Sequence, residues 1–310
     1  MIEYFRTDDN GTLLKLGQEE PGCWIALFDP DVKELADIAT RFTVDLDDLR
    51  APLDREEISR IEREDSYTMF IVDTPIHDES LGEHGYTTIP LGIILNKDVC
   101  VTLCNYETNM MIDFIAYQQK RGVGFTDSID LVFRLFLSSS VWYLKRLKQI
   151  NTLIEESKLN LDRKIDNDDL VGLSRLQDSL TYFATSIRGN EMLLSKLKFK
   201  LPVDELDADL IEDVNIEMSQ AREMTNIYAN ILNSTMDTYA SIISNNMSVV
   251  MKTLTAVSII LMLPTLIYSL YGVNLINGME QYKFGFPLLV IASIVITAIC
   301  VIVFHKKSWI

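Results

Sequence analysis

The sequence predicts an α+β membrane protein: an N-terminal cytosolic α/β domain, a long helical stalk and two C-terminal transmembrane helices. Three observations predict it. Residues 253–279 and 284–304 contain no charged side chain, and each run reaches the roughly 20 apolar residues that a bilayer-crossing helix needs. Residues 1–106 mix strand-like runs with short helical patterns. From Asp204 to Tyr271 there is no glycine and one proline, Pro264. That segment reads as a single helix of about 100 Å at 1.5 Å per residue.

Taken in order, strands are expected at Met1–Arg6, Trp24–Phe28, Tyr67–Asp73, Tyr86–Leu95 and Val99–Cys104. These runs are rich in β-branched and aromatic residues and bounded by Gly, Asp, Asn or Pro. Asp31–Phe42 and Asp45–Ala51 read as short helices, and His77–Gly85 as a polar loop. Beyond residue 107 the pattern is helical. Leu131, Leu135, Val141, Leu144 and Leu147 recur at helical spacing within 127–162, and 168–198 repeats the pattern. The two helices should pair antiparallel across Asp166-Asn167-Asp168, the second ending at Lys200-Leu201-Pro202. The expected divisions are 1–106 for the α/β domain and 107–203 for the cytosolic helical region. The stalk helix is 204–271, continuing into a first span at about 253–271. An external loop occupies 272–284, a second span 285–304, and a basic cytosolic tail 305–310.

Charge orients this layout. No basic n-region with an apolar core opens the chain, so the large N-terminal part is expected in the cytosol. Lys252 precedes the first span and His305, Lys306 and Lys307 follow the second, whereas the intervening loop carries only Glu280 and Lys283. The positive-inside rule then places both termini in the cytosol of a multi-pass plasma-membrane protein. Residues 1–250 hold 44 of the 45 acids and 24 of the 28 Lys and Arg. Such an acidic surface argues against nucleic-acid partners. It can concentrate cations near the membrane, or simply be a soluble face. Three scattered histidines build no nucleophile–base arrangement, and there is no GxxxxGK phosphate loop, so neither an enzyme nor a bound cofactor is expected. The four cysteines, Cys23, Cys100, Cys104 and Cys300, carry no zinc-finger spacing.

Steps of three and four along the long helix pick out Ser241, Ser244, Ser248, Met251, Thr255, Ser258, Met262, Thr265 and Ser269, which share one face. Leu254, Val257, Ile260, Leu261, Leu266, Ile267 and Leu270 occupy the others. Ser and Thr also serve at tight helix contacts, but this stripe continues into the cytosolic part of the helix. Two spans cannot enclose water, because backbone in lipid must be satisfied within its own helix. A conducting path therefore needs several copies. A neutral hydroxyl lining suits a hydrated divalent ion such as Mg2+, which gives up its water reluctantly. Met251 and Met262 can close the path by dewetting. At −100 mV the field contributes about 4.6 kcal/mol to a divalent ion entering the cell, so no ATP-driven step is required. Gly272 can end the span in a turn that directs Asn274 to the outer mouth, where a ring of Glu280 side chains would attract cations.

Tyr271-Gly272-Val273-Asn274 resembles the Tyr-Gly-Met-Asn signature of the CorA-type magnesium transporters. Lys306-Lys307-Ser308-Trp309-Ile310 is similar to that family's basic tail, and the stretch from Asp237 to Lys252 is similar as well. The resemblance implies a funnel-shaped homopentamer whose first span lines the pore, with Tyr271, Gly272, Val273 and Asn274 as selectivity filter. Asn274 would then face the hydrated ion. It implies that Thr265, Met262, Leu254 and Met251 line the pore, with Leu254 and Met251 at a hydrophobic gate. Ser248 stands where the family usually has an asparagine. Asp237 corresponds to an acid that binds a regulatory divalent ion between subunits, with Asp73 and Asp78 as candidate partners. Val273 replaces the signature methionine, and the zinc-transporting ZntB branch has Gly-Ile-Asn. The transported ion is thus expected to be Mg2+, with Zn2+ or a broad range including Co2+ and Ni2+ as the alternative. A non-conducting, membrane-anchored coiled-coil sensor or scaffold is the reading from another class. Two weaker signals remain. His77-Asp78-Glu79 with Glu83-His84 is either a metal loop or a solvated run. The acids from Asp204 to Asp213 either meet Lys306 and Lys307 or form a solvated helix start favoured by the helix dipole.

Overall fold

The computed structural model describes residues 1–82, 85–97, 99–105, 108–159, 167–200, 207–272, 283–307 and 309, with backbone only at Phe199 and Lys200. They form two compact units, Met1–Met236 and Asp237–Ile310.

The first unit is built on a seven-stranded sheet of order β2-β1-β3-β7-β6-β5-β4. Its strands are β1 (Ile2–Thr7), β2 (Leu13–Leu16), β3 (Trp24–Phe28), β4 (Arg60–Arg63), β5 (Tyr67–His77), β6 (Tyr86–Asn96) and β7 (Cys100–Cys104). All neighbours are antiparallel except β3 and β7, where Trp24 faces Cys100 and Phe28 faces Cys104. Helices α1 (Val32–Phe42) and α2 (Leu46–Arg50) cover one face. There Leu35, Ile38 and Leu49 join Ile25, Leu27, Met69, Ile71, Val101 and Leu103 in one buried cluster. The other face packs on α3 (Asn109–Arg121), α4 (Ser128–Leu159) and α5 (Asn167–Lys200). Trp24 anchors that side. Its ring meets Phe114 and Phe125 edge-on at 5.8 and 6.4 Å, and its Nε1 donates to Thr102 Oγ1 at 2.9 Å. With both faces covered, every residue of β3 and β7 is buried, which is why these two strands read as unbroken apolar runs.

Local capping follows the sequence. Asp31 and Glu34 form a reciprocal capping box at the start of α1, with Asp31 Oδ1 accepting from the Glu34 amide at 2.7 Å. This satisfies amides left open at a helix start. Thr43, at φ 55°, closes the helix in a left-handed turn. Asp78 caps a single 3₁₀ turn, Glu79–Leu81, so the expected polar loop after β5 carries structure. Helices α4 and α5 lie antiparallel: Tyr143 packs edge-on against Phe183 at 5.2 Å, while Ser139 and Asn190 both reach the Asp73 carbonyl.

Helix α6 runs from Ala208 to Tyr271, 64 residues, with Pro264 inside it. Asp207 caps it, accepting from the amides of Asp209 and Leu210 at 3.0 and 3.1 Å. The second unit holds the end of α6 together with α7 (Gly285–Lys306). Both helices are long and apolar enough to cross a membrane.

Candidate functional site

The face of α6 that the stripe occupies is open. Ala256 is fully buried, and Ile259, Ile260, Leu263, Pro264 and Ile267 are half-buried. Ser248, Met251, Leu254, Thr255, Ser258, Met262, Thr265 and Ser269 are all exposed. At 3.6 residues per turn the two sets are centred on opposite sides of the helix. Leu254 and Thr255 fall on the two flanks of the open side, so both expected positions border it.

Five of the stripe's seven hydroxyls share one arrangement. Ser241 Oγ donates to the Asp237 carbonyl at 2.8 Å, and Ser248 Oγ to that of Ser244 at 2.9 Å. Thr255, Ser258 and Thr265 donate to the carbonyls of Met251, Leu254 and Leu261 at 2.7, 2.8 and 3.0 Å. A hydroxyl has one proton and two lone pairs. With the proton returned to the helix backbone, only acceptor oxygen faces outward. Such a surface matches the outward hydrogens of water around a cation.

The C-terminal end of the stripe reaches Tyr271, which is exposed, and Gly272, whose amide donates to the Tyr268 and Ser269 carbonyls at 2.9 and 3.2 Å. The expected residues Val273, Asn274 and Glu280 lie outside the described residues. Toward the other end Asp237 is exposed. Among the described residues no group of three His, Cys, Asp or Glu side chains is placed to hold a metal. Lys306 ends α7 and Lys307 caps it through its amide to Val303 O at 3.1 Å. Trp309 folds back, with its amide on the Phe304 carbonyl at 3.0 Å and its ring stacked on Phe304 at 5.5 Å.

The two acids considered as partners of Asp237 are both engaged within the first unit. Asp78 accepts from Ser80 Oγ at 2.6 Å, the Ser80 amide at 3.0 Å and Arg55 Nη1 at 2.9 Å. The Ser80 hydrogen bond leads in holding its pKa below the ordinary carboxylate value, with Arg55 adding to it. Asp73 is 7 % exposed and sits where the sheet runs out. Strand β4 stops at Arg60 opposite Ile71, so the backbone of Asp73 has no strand beside it there. The Asn190 carboxamide fills the gap: its Oδ1 accepts from the Asp73 amide at 3.0 Å and its Nδ2 donates to the Asp73 carbonyl at 2.8 Å. Ser139 Oγ and Tyr143 OH donate to the same carbonyl at 3.1 and 3.2 Å. The Asp73 carboxylate has Ser59 Oγ at 2.9 Å. Burial outweighs that hydrogen bond and raises its pKa to about 6.

Sequence reasoning missed this buried centre. The available signal was Asn190 at i+7 from Phe183 on the stripe Phe183, Ile187, Asn190, Leu194, a polar residue in an apolar row. His77, Asp78 and Glu79 adjoin the capped turn, and Glu83 and His84 lie outside the described residues. The acids Asp207, Asp209, Glu212 and Asp213 are exposed on the first turns of α6, and Asp204 and Glu205 lie outside the described residues.

Residues 19–306 match the family model described as CorA-like Mg2+ transporter protein. The cobalt/magnesium transport protein CorA of Methanocaldococcus jannaschii is 27 % identical over 302 residues, covering 93 % of this chain and 91 % of that protein. The complete structure of the CorA magnesium transporter from the same organism superposes with a TM-score of 0.83 at 23 % identity, covering 100 % of this chain and 99 % of that one. The ZntB cytoplasmic domain from Vibrio parahaemolyticus shares the fold over 77 % of this chain and 96 % of its own, with a TM-score of 0.61 at 11 % identity. The acidic α/β domain, the long helix and the two apolar C-terminal helices are thus one architecture seen whole in a solved relative, and the chain belongs to the family of CorA-like Mg2+ transporter proteins.

Proposed function

We propose that this protein carries divalent cations, Mg2+ first, through a water-filled path enclosed by a homopentamer in the plasma membrane. The observation that carries the reading is the α6 stripe. Five of its hydroxyls, those of Ser241, Ser248, Thr255, Ser258 and Thr265, spend their protons on their own helix and leave acceptor oxygens on the open side. In a ring of copies those oxygens accept from the water of a hydrated ion, which passes without losing its shell. Mg2+ favours such treatment, and the stripe has no thiolate or imidazole of the kind Zn2+ prefers. Asn274 stands at the outer mouth as the filter residue with Tyr271, Gly272 and Val273, and a ring of Glu280 concentrates cations outside. Met251 and Leu254 form the dewetting gate.

Residues 1–106 and 107–203 make the cytosolic body, 204–271 the stalk and first span, 272–284 the external loop, 285–304 the second span and 305–310 the cytosolic tail. Cytosolic Mg2+ regulates the path by binding at Asp237 between neighbouring copies. Bound ions hold the subunits together with the path shut. Their loss leaves like charges facing one another, and the subunits loosen.

The test is uptake by the purified protein in liposomes under an inside-negative potential, with Mg2+, Co2+, Ni2+ and Zn2+ offered singly and in competition. The expected result is Mg2+ entry that Co2+ and Ni2+ compete with and that needs no proton gradient. Preference for Zn2+ reassigns the ion. No flux of any of the four refutes conduction and leaves the scaffold reading.

A further inference from the structure

Between the two apolar helices, the described residues make one side-chain hydrogen bond: Tyr268 OH and Ser293 Oγ are 3.0 Å apart. Ser293 is 4 % exposed although it lies in the middle of α7. Its direction follows from a second contact. Ser293 Oγ lies 2.9 Å from the Val290 carbonyl, which has no proton to give, so the single Ser293 proton goes there. Tyr268 must then be the donor, and the relay runs Tyr268 O–H to Ser293 O–H to Val290 C=O. The Ser293 proton is thus committed, and among the described residues Tyr268 makes no other side-chain hydrogen bond.

The same residue closes the outer end of α6. The Tyr268 carbonyl accepts from the Gly272 amide at 2.9 Å, and a Cβ added at Gly272 would lie 3.3 Å from that carbonyl oxygen. Tyr268 therefore joins α7, by its phenol, to the turn at Gly272 that ends α6, by its backbone. In hydrocarbon a polar hydrogen without an acceptor is costly, so this bond selects one rotation of α6 against α7.

We infer that Tyr268 and Ser293 are positioning residues for the outer mouth: α7 sets, through this bond, the orientation of the end of α6 at Gly272. The inference rests on the pathway proposed above. It requires the hydroxyl at 293 and the phenol at 268 to affect ion recognition and not only assembly.

The direction of the relay yields an unequal pair of variants. Tyr268→Phe removes the bond and leaves Ser293 still bonded to Val290. Ser293→Ala leaves the Tyr268 proton without its acceptor. Ser293→Thr keeps the acceptor oxygen. The experiment measures Mg2+ uptake into liposomes for the full chain and these three variants, each first checked for its oligomeric state. Tyr268→Phe and Ser293→Ala are expected to raise the apparent KM for Mg2+ at least threefold, the latter more. Ser293→Thr should stay within twofold of the unaltered chain. An unchanged KM in Tyr268→Phe, which keeps nearly all packing, overturns the inference, as does a Ser293→Thr defect equal to that of Ser293→Ala. If the unaltered chain carries no ion, the functional proposal has failed instead, and the two failures are told apart.

Discussion

Replacing Asp73 with Asn tests the electrostatics at the centre of the first unit. Burial moves this carboxyl from the ordinary 3.8 to about 6. The folded state thus holds its proton more tightly than the unfolded chain, which costs stability as pH rises between those values. With each pKa unit worth about 1.4 kcal/mol, the full penalty above pH 7 is about 3 kcal/mol. At pH 5 roughly half of it is present, so about 1.4 kcal/mol appears between pH 5 and 7.5. Asp73→Asn cannot ionise and escapes this slope. Its Oδ1 still accepts from Ser59 and its new N–H groups face the Ser186 hydroxyl; whatever stability this exchange changes, it changes equally at both pH values. The informative quantity is therefore the change in the difference between variant and unaltered chain. For a unit of 236 residues, about 2–4 °C per kcal/mol converts the slope into about 3–6 °C. Thermal unfolding of the full chain in detergent, followed at pH 5 and pH 7.5, should show Asp73→Asn gaining that much on the unaltered chain as pH rises. A constant difference at the two pH values would refute the reasoning, since it would mean that Asp73 keeps an ordinary pKa.

Three further outcomes are expected. Asn190→Ala should lower the stability of the first unit by about 1–3 kcal/mol, because it leaves the buried Asp73 amide without an acceptor, while the Asp73 carbonyl keeps Ser139 and Tyr143; denaturant unfolding measures it. Asp237→Ala should weaken inhibition of uptake by Mg2+ on the cytosolic side, and an inhibition curve identical to that of the unaltered chain would reject the regulatory role. Asn274→Ala should abolish Mg2+ uptake while the oligomer elutes unchanged from a sizing column; uptake at the original rate would remove Asn274 from the filter.

Much of the architecture was legible because its strongest signals are local. Charge exclusion over whole spans and the glycine-free run from Asp204 to Tyr271 need no tertiary information. The interior strands β3, β6 and β7 read clearly because both of their faces are covered. Strands β2 and β4 did not, for the opposite reason. They lie on the two edges of the sheet, and in Leu13–Leu16 and Arg60–Arg63 the apolar residues are diluted by Lys15, Arg60, Glu62 and Arg63, as edges commonly require. Strand β5 runs on to His77, past the expected end at Asp73. Its partner β6 supports it there, and pairing of that kind is decided by residues far away in sequence.

The stripe on α6 was legible as a period of three and four, but its chemistry was not. Whether a serine hydroxyl points its proton outward or back to its own helix depends on side-chain rotation, which spacing does not encode. The Asp73 centre and the Tyr268–Ser293 bond were hidden for a related reason. Each joins residues widely separated along the chain, Asp73 with Asn190 and Tyr268 with Ser293, and neither half alone is unusual. The expected filter, Tyr271 to Asn274, rests on the motif, since Val273 and Asn274 fall outside the described residues, as does Glu280.

The central claim is that the hydroxyl stripe faces water in the assembled protein. Cysteine substitution measures this directly. The native Cys23, Cys100 and Cys104 are buried, so a Cys300→Ser background leaves little competing reactivity. In it, Ser258→Cys and Thr265→Cys should react with a charged, membrane-impermeant thiol reagent, and the reaction should block Mg2+ uptake. Val257→Cys and Leu270→Cys, exposed on other sides of α6, should stay unmodified in the bilayer. Modification of Val257 and Leu270 with Ser258 and Thr265 protected would contradict the account, because the stripe would then face lipid or another helix.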